Sequence, residues 1–395
     1  MPYDDEVTQF SKRTSWDLGE SSFAAAVREA RASGRQLWDL TVSNPTRCGF
    51  NYDTNDSNAL LTPLTNPQAL TYDPDPRGLA SAREAVARYY AGHSATVGTG
   101  DLVLTTSTSE SYSYLFRLLC DPGDEVLVAQ PSYPLFDFLA DLDDVRLKPY
   151  PLFYDHGWWI DQAELERAIG PRTRAVLLVH PNNPTGHWTA AAERKRLEEI
   201  CSRHRLALIV DEVFLDYPLS TTAPSFATGE HPVLTFVLSG LSKIAGLPQM
   251  KAAWIATFGP APQKAEALAR LEVIADIFLS SNAPVQLALP HWLQGAGDLQ
   301  QQILGRARHN LTVLRAIAVQ QPARLQLLDP DAGWSAVLGL PGCTGDPQCA
   351  ERLLADRGVI VHPGSFYGMS ASNRVVVSLI GPPEELEQGI WRAIS

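Results

Sequence analysis

The chain has 395 residues, 45% of them hydrophobic and 19% charged, with a formal net charge of −12. That length and apolar content bury sizeable cores, suit two or three globular units and exclude a disordered chain. The acidic balance, with no long basic run, excludes a nucleic-acid surface, and no apolar run approaches a membrane span. The opening MPYDDEVTQF lacks the basic-then-apolar order of a signal peptide, so a cytoplasmic location is expected.

In chain order, apolar residues at helical spacing predict helices over Phe23–Ser33 and Leu79–Ala91. A hydroxyl-rich run, Thr105-Thr106-Ser107-Thr108-Ser109-Glu110, opens a third helix that ends at Cys120, before Asp121-Pro122-Gly123. Hydroxyls and free N–H groups at a helix start serve either as an anion site or as a plain cap. Short apolar runs read as buried strands at Glu125–Val128, Ala175–Val179, Leu206–Val210, Thr235–Leu238 and Lys251–Ala256, with a helix over Ala190–His204 between them. Strands separated by helices imply a mostly parallel sheet covered on both faces, and ligands of such sheets sit at the carboxyl ends of strands.

Three of those ends carry polar chemistry. The strand ending at Val179 runs into His180-Pro181-Asn182-Asn183-Pro184-Thr185-Gly186; the next ends in Asp211-Glu212; the third runs into Ser239-Gly240-Leu241-Ser242-Lys243. An acid after a strand serves alone as a metal ligand, a cap or a catalytic group; beside an amide and a lysine, the catalytic reading gains weight. After Pro290 the pattern changes to a long helix, Leu299–Val319, then strands at Trp334–Leu338 and Arg374–Leu379. The expected layout is a large α/β domain over 61–290 and a smaller α+β domain from 1–60 and 291–395. Five cysteines with no Cys-x-x-Cys pair are expected as free thiols, no metal site is expected, and His204 and His309 read as solvated on charged helix faces.

The ordered set Asn183-Pro184-Thr185-Gly186, Asp211-Glu212-Val213 and Ser242-Lys243 with Gly246 and Lys251 resembles the fold-type I pyridoxal 5'-phosphate enzymes, and among them the class I and II aminotransferases. The resemblance implies a large, mostly parallel sheet of the seven-stranded type. It also implies a Schiff base on Lys243, Asp211 on the pyridine nitrogen and Asn183 on the ring's 3-oxygen. Phosphate ligands would come from Ser107, Thr108, Ser109, Ser242 and Lys251; Lys251 stands at the position of a family arginine and loses its two-bond fork. Tyr133 would stack on the ring, and Tyr72 would reach the phosphate of the neighbouring subunit in a homodimer. Arg374 would grip the substrate α-carboxylate, beside Asn183 and the Ser43-Asn44-Pro45 segment.

The same resemblance exposes departures. Phe214 replaces a tyrosine that donates to the 3-oxygen, Gln249 and Thr108 replace glycines, and Gly240 replaces a hydroxyl. Ile277, four residues before Ser281-Asn282, stands where aspartate-specific members have an arginine, so a neutral amino acid is the expected donor to a 2-oxo acid. The same cofactor residues would also suit a carbon–sulfur β-lyase, a decarboxylase or a cyclopropane-type synthase.

Overall fold

The computed structural model describes residues 10–52, 60–220, 222–279, 281–343, 345, 348–369 and 373–395; most of the acidic opening, Met1–Gln9, lies outside them. The large sheet has eight strands: β1 Leu102–Thr105, β2 Glu125–Gln130, β3 Arg146–Tyr154, β4 Trp158–Ile160, β5 Thr173–Val179, β6 Ala207–Asp211, β7 Thr235–Gly240 and β8 Ala253–Phe258. Their spatial order is β1-β8-β7-β6-β5-β2-β3-β4. The central run from β7 to β3 is parallel, whereas β8 runs against both β1 and β7, and β4 folds back on β3.

The central strands are apolar without alternation because both faces are covered. Leu127, Val176, Leu178, Leu208, Val210 and Val237 pack on one side. Val126, Ala175, Leu177, Ile209, Phe236 and Leu238 pack on the other, as the two-residue strand period requires.

A second, antiparallel sheet orders Gln326–Leu328, Ser335–Gly339, Arg374–Ser378 and His362–Pro363. The amino-terminal segment joins its core: Trp38–Asp39 pairs with Val359–Ile360, and Phe23, Trp38 and Leu40 are buried with Leu353, Val375 and Val377. Among the described residues no helix is long and apolar enough to cross a membrane.

Four expectations change. The sheet has eight strands rather than seven, because the edge hairpin adds Trp158–Ile160. The strand expected from Lys251 begins at Ala253, since Lys251 has φ +54°, outside the extended region. Pro290, after which the pattern was expected to change, lies inside the helix Ala283–Gln294. Cys343 and Cys349 are disulfide-bonded, not free, with Cα atoms 5.5 Å apart and Cys349 in the first turn of the Gln348–Arg357 helix. Cys48 and Cys201 are buried thiols, and Cys120 is a half-buried one.

Candidate active site

Sheet register puts Val179 of β5 and Leu238 of β7 on either side of Asp211, so the three strands end together. Asn183 follows four residues after Val179, and Lys243 five after Leu238. Gly186, at φ +71°, turns the first loop so tightly that a Cβ would lie 2.4 Å from the Ala332 carbonyl oxygen; a side chain there would push the second sheet's loop away. Ser335 of that sheet donates its hydroxyl to Asn183 Oδ1 at 3.4 Å.

Asp211 is buried. Its Oδ2 accepts from the Tyr112 hydroxyl at 2.6 Å and its Oδ1 from the Val213 N–H at 3.0 Å. Burial pushes the carboxyl up to about 6, against the pull of these donors and of Lys243. Lys243 is half-buried, with Nζ 4.9 Å above the Trp334 ring and 5.6 Å above Phe214. Burial lowers its ammonium pKa below the ordinary lysine value, and the Asp211 charge only partly offsets this. Tyr217 secures the lysine's backbone, donating to the Lys243 carbonyl oxygen at 2.5 Å.

The hydroxyl run is a true helix start, with Ser107 as N-cap of Thr108–Leu119, accepting from the Glu110 N–H. Glu110 in turn accepts from the Thr106 N–H and hydroxyl. The first-turn N–H groups at Thr108 and Ser109 have no carbonyl one turn back within the helix and point out of its start. Gly240 occupies a hydroxyl position because there is no room: a Cβ would lie 2.8 Å from the Ala252 carbonyl oxygen.

Other candidates lie further out. Tyr133 is 43% exposed and meets Phe136 edge-on, with burial and then the Asp211 charge raising its pKa. Its segment is tied to the second sheet: Ser132 N–H donates to the Tyr367 carbonyl at 3.0 Å, and Gln130 Nε2 to that of Gly368 at 2.6 Å. The Ser132 hydroxyl is buried without a partner among the described residues. Arg374 opens its strand opposite Gly339, and its guanidinium lies toward Gln326 Oε1, at 3.4 Å, and Tyr154. Ser242 is half-buried; Lys251 and Ser43 are exposed, and Tyr72 is 83% exposed. Asn44 caps its own turn, accepting from Thr46. Ile277 is 71% exposed on the outer side of the Ala261–Phe278 helix, so within this chain it does not line the cleft as its sequence position suggested.

Sequence reading missed Tyr112, Trp334 and Tyr217, aromatic residues whose spacing reads as ordinary core. It also gave Glu212 no role. Glu212 is fully buried, its carboxylate accepting from Ser225 Oγ at 2.6 Å and Phe226 N–H at 2.5 Å, yet burial pushes it up to about 7. An acid with a raised folded-state pKa loses stability as pH rises from its unfolded value to its folded one. Between pH 4.5 and 7, wild-type stability should therefore fall relative to Glu212→Gln by on the order of 3 kcal/mol. Chemical unfolding of both cofactor-free proteins at fixed concentration checks this; parallel pH profiles would mean Glu212 stays ionised.

A carboxylate and a lysine at adjoining strand ends, beside a hydroxyl-lined helix start, define a cofactor-dependent α/β enzyme. The chain belongs to the aminotransferase class I and II family, whose model matches residues 59–392. It is 29% identical over 281 residues to the glutamate-pyruvate aminotransferase AlaA of Escherichia coli strain K12, covering 70% of this chain and 68% of that one. It is 31% identical over 296 residues to the capreomycidine synthase of Streptomyces vinaceus, covering 74% of each. The alanine aminotransferase from Pyrococcus furiosus shares the fold, with a TM-score of 0.85 at 21% identity over 97% of this chain and 98% of that one. Members of the family use pyridoxal 5'-phosphate. The residues present fit it: a buried acid for a ring nitrogen, a lysine amine for an aldehyde, and a helix start with free N–H groups for a phosphate.

Proposed function

We propose that the chain is a cytoplasmic, homodimeric aminotransferase that exchanges the amino group of a neutral amino acid with a 2-oxo acid. The observation that carries the reading is the Asp211–Lys243 pair at the joined strand ends, in a chain of this family. The bound cofactor supplies an aldehyde and an electron-withdrawing ring. Lys243 would hold the cofactor covalently, and its Nζ, when free, would accept the proton from the substrate Cα. Asp211 holds the proton on the ring nitrogen, and Asn183 donates to the 3-oxygen. Phe214 offers no second donor there. Ser107, Thr108, Ser109, Ser242 and Lys251 take the phosphate, with Tyr72 from a second copy, and Tyr133 covers the ring. Arg374 binds the α-carboxylate and so orients the Cα–H bond.

The neutral-donor reading draws on the relatives named alanine aminotransferase; the cavity beside Tyr133 is lined by neither Lys243 nor Arg374. Its volume is about 220 Å³, and its lining, which includes Phe136, Pro149 and Tyr367, has no lysine or arginine. Its one acid, Asp137, has its pKa raised by burial and by Asp141. The relatives named for alanine support a neutral substrate, whereas the glutamate-pyruvate relatives pair a dicarboxylic amino acid with the 2-oxo acid of a neutral one.

Half-reactions of the loaded enzyme with alanine, methionine, phenylalanine, glutamate and aspartate, followed by the visible spectrum and by product analysis, test this. Alanine or another neutral donor should react faster than aspartate and yield its 2-oxo acid. Aspartate as the fastest donor would contradict the donor reading, and ammonia release without a 2-oxo acid of equal carbon skeleton would contradict transamination.

A further inference from the structure

The helix that starts at the hydroxyl run also reaches the acid at the other end of the site. Tyr112 lies one turn in from Thr108, is 2% exposed, and packs edge-on against Phe136 at 5.0 Å, on the helix that follows Tyr133. Its hydroxyl is 2.6 Å from Asp211 Oδ2. With Val213 N–H on Oδ1, the carboxylate has one donor on each oxygen, which fixes its rotation and leaves lone pairs on both for a further donor.

We propose that Tyr112 is a positioning residue that holds Asp211 ionised and aimed, linking the helix that starts at the phosphate residues to the acid that serves the ring nitrogen. This rests on the reading of Asp211 given above. The need for such a donor follows from burial. An anion removed from water reverts to its neutral form unless hydrogen bonds or a cation support it. Around Asp211 the titratable neighbours are Tyr112 on the helix start, Lys243 after β7, Tyr133 after β2 and Tyr90 on the Ala80–Gly92 helix. Glu212, adjacent in sequence, turns instead to Ser225 and Phe226. Tyr133 and Tyr90 only feel the charge, whereas Tyr112 donates to it. A tyrosine suits the role because its hydroxyl remains protonated: burial and the adjacent carboxylate both raise its pKa.

Two measurements test the assignment. In the cofactor-free protein, the Asp211 carboxyl is titrated by infrared difference spectroscopy, with Asp211→Asn as the blank. Tyr112→Phe should raise its midpoint by about one to two pH units, the worth of one hydrogen bond to a charged group. In the second measurement, the dissociation constant for pyridoxal 5'-phosphate is compared in four proteins. Tyr112→Phe should weaken binding about tenfold in the wild-type background and less than twofold in Asp211→Asn, because the tyrosine acts through the acid. An unchanged carboxyl midpoint, or an equal loss of affinity in both backgrounds, would overturn the assignment and leave Tyr112 as packing. A midpoint that shifts in a protein with no affinity for the cofactor would instead keep the Tyr112–Asp211 linkage and sink the reading of the site.

Discussion

Lys243→Ala is expected to lower the rate of the donor half-reaction about 10²–10⁴-fold, the range for loss of a positioned general base. The surroundings explain why no neighbour takes over. Nζ sits between Trp334 and Phe214, neither of which carries a proton acceptor, and Tyr217 spends its hydroxyl on the Lys243 carbonyl oxygen. Cofactor affinity should fall far less, because Asp211 and the helix start are untouched. Stopped-flow half-reactions with alanine measure the first effect and equilibrium dialysis the second. Partial rescue of the rate by small primary amines would identify the lost function as proton transfer by an amine. A variant that reacts at the wild-type rate would remove Lys243 from the chemistry.

Arg374→Ala should lower kcat/KM for every donor by a similar factor, because the α-carboxylate is common to all of them. Loss of a charged two-bond pair is worth about 2–3 kcal/mol, roughly 30- to 160-fold. The guanidinium crosses Gly339, where even a methyl group would collide with it, and burial lowers its pKa, so it is already partly stripped of water. Arg374→Lys should recover only part of the loss, since an ammonium cannot form the fork. Steady-state rates for alanine, methionine and phenylalanine check both points. A variant that changed the ratio among these donors more than their common rate would place Arg374 at the side chain rather than at the carboxylate.

Much of this was legible locally. The central parallel strands read clearly because burial on both faces makes them continuous apolar runs, as in Ala207–Asp211, where every residue is buried. Asn183, Asp211 and Lys243 stood out as candidates because Asp211 ends a strand and the other two follow strand ends within four residues. Strands at or next to the sheet's edges were less visible: Arg146–Tyr154 is interrupted by Pro149 and Pro151, and Leu102–Thr105 is only four residues long. The Tyr112–Asp211 contact spans 99 residues of sequence and joins a residue that looks like helix core to one that looks like a strand end. Ile277 was read from spacing alone. A spacing rule placed it near substrate, but in this chain its side of the helix faces outward. The disulfide was missed because Cys343 and Cys349 are six apart with no motif to mark them as a pair.

The central claim is that Lys243 carries the cofactor, and borohydride reduction of the loaded protein followed by peptide mapping tests it most directly. Reduction fixes an imine as a stable secondary amine, so the pyridoxyl mass should appear on the peptide containing Lys243 and be absent from Lys243→Ala. Label on Lys251 or Lys264 in the wild-type protein would contradict the account.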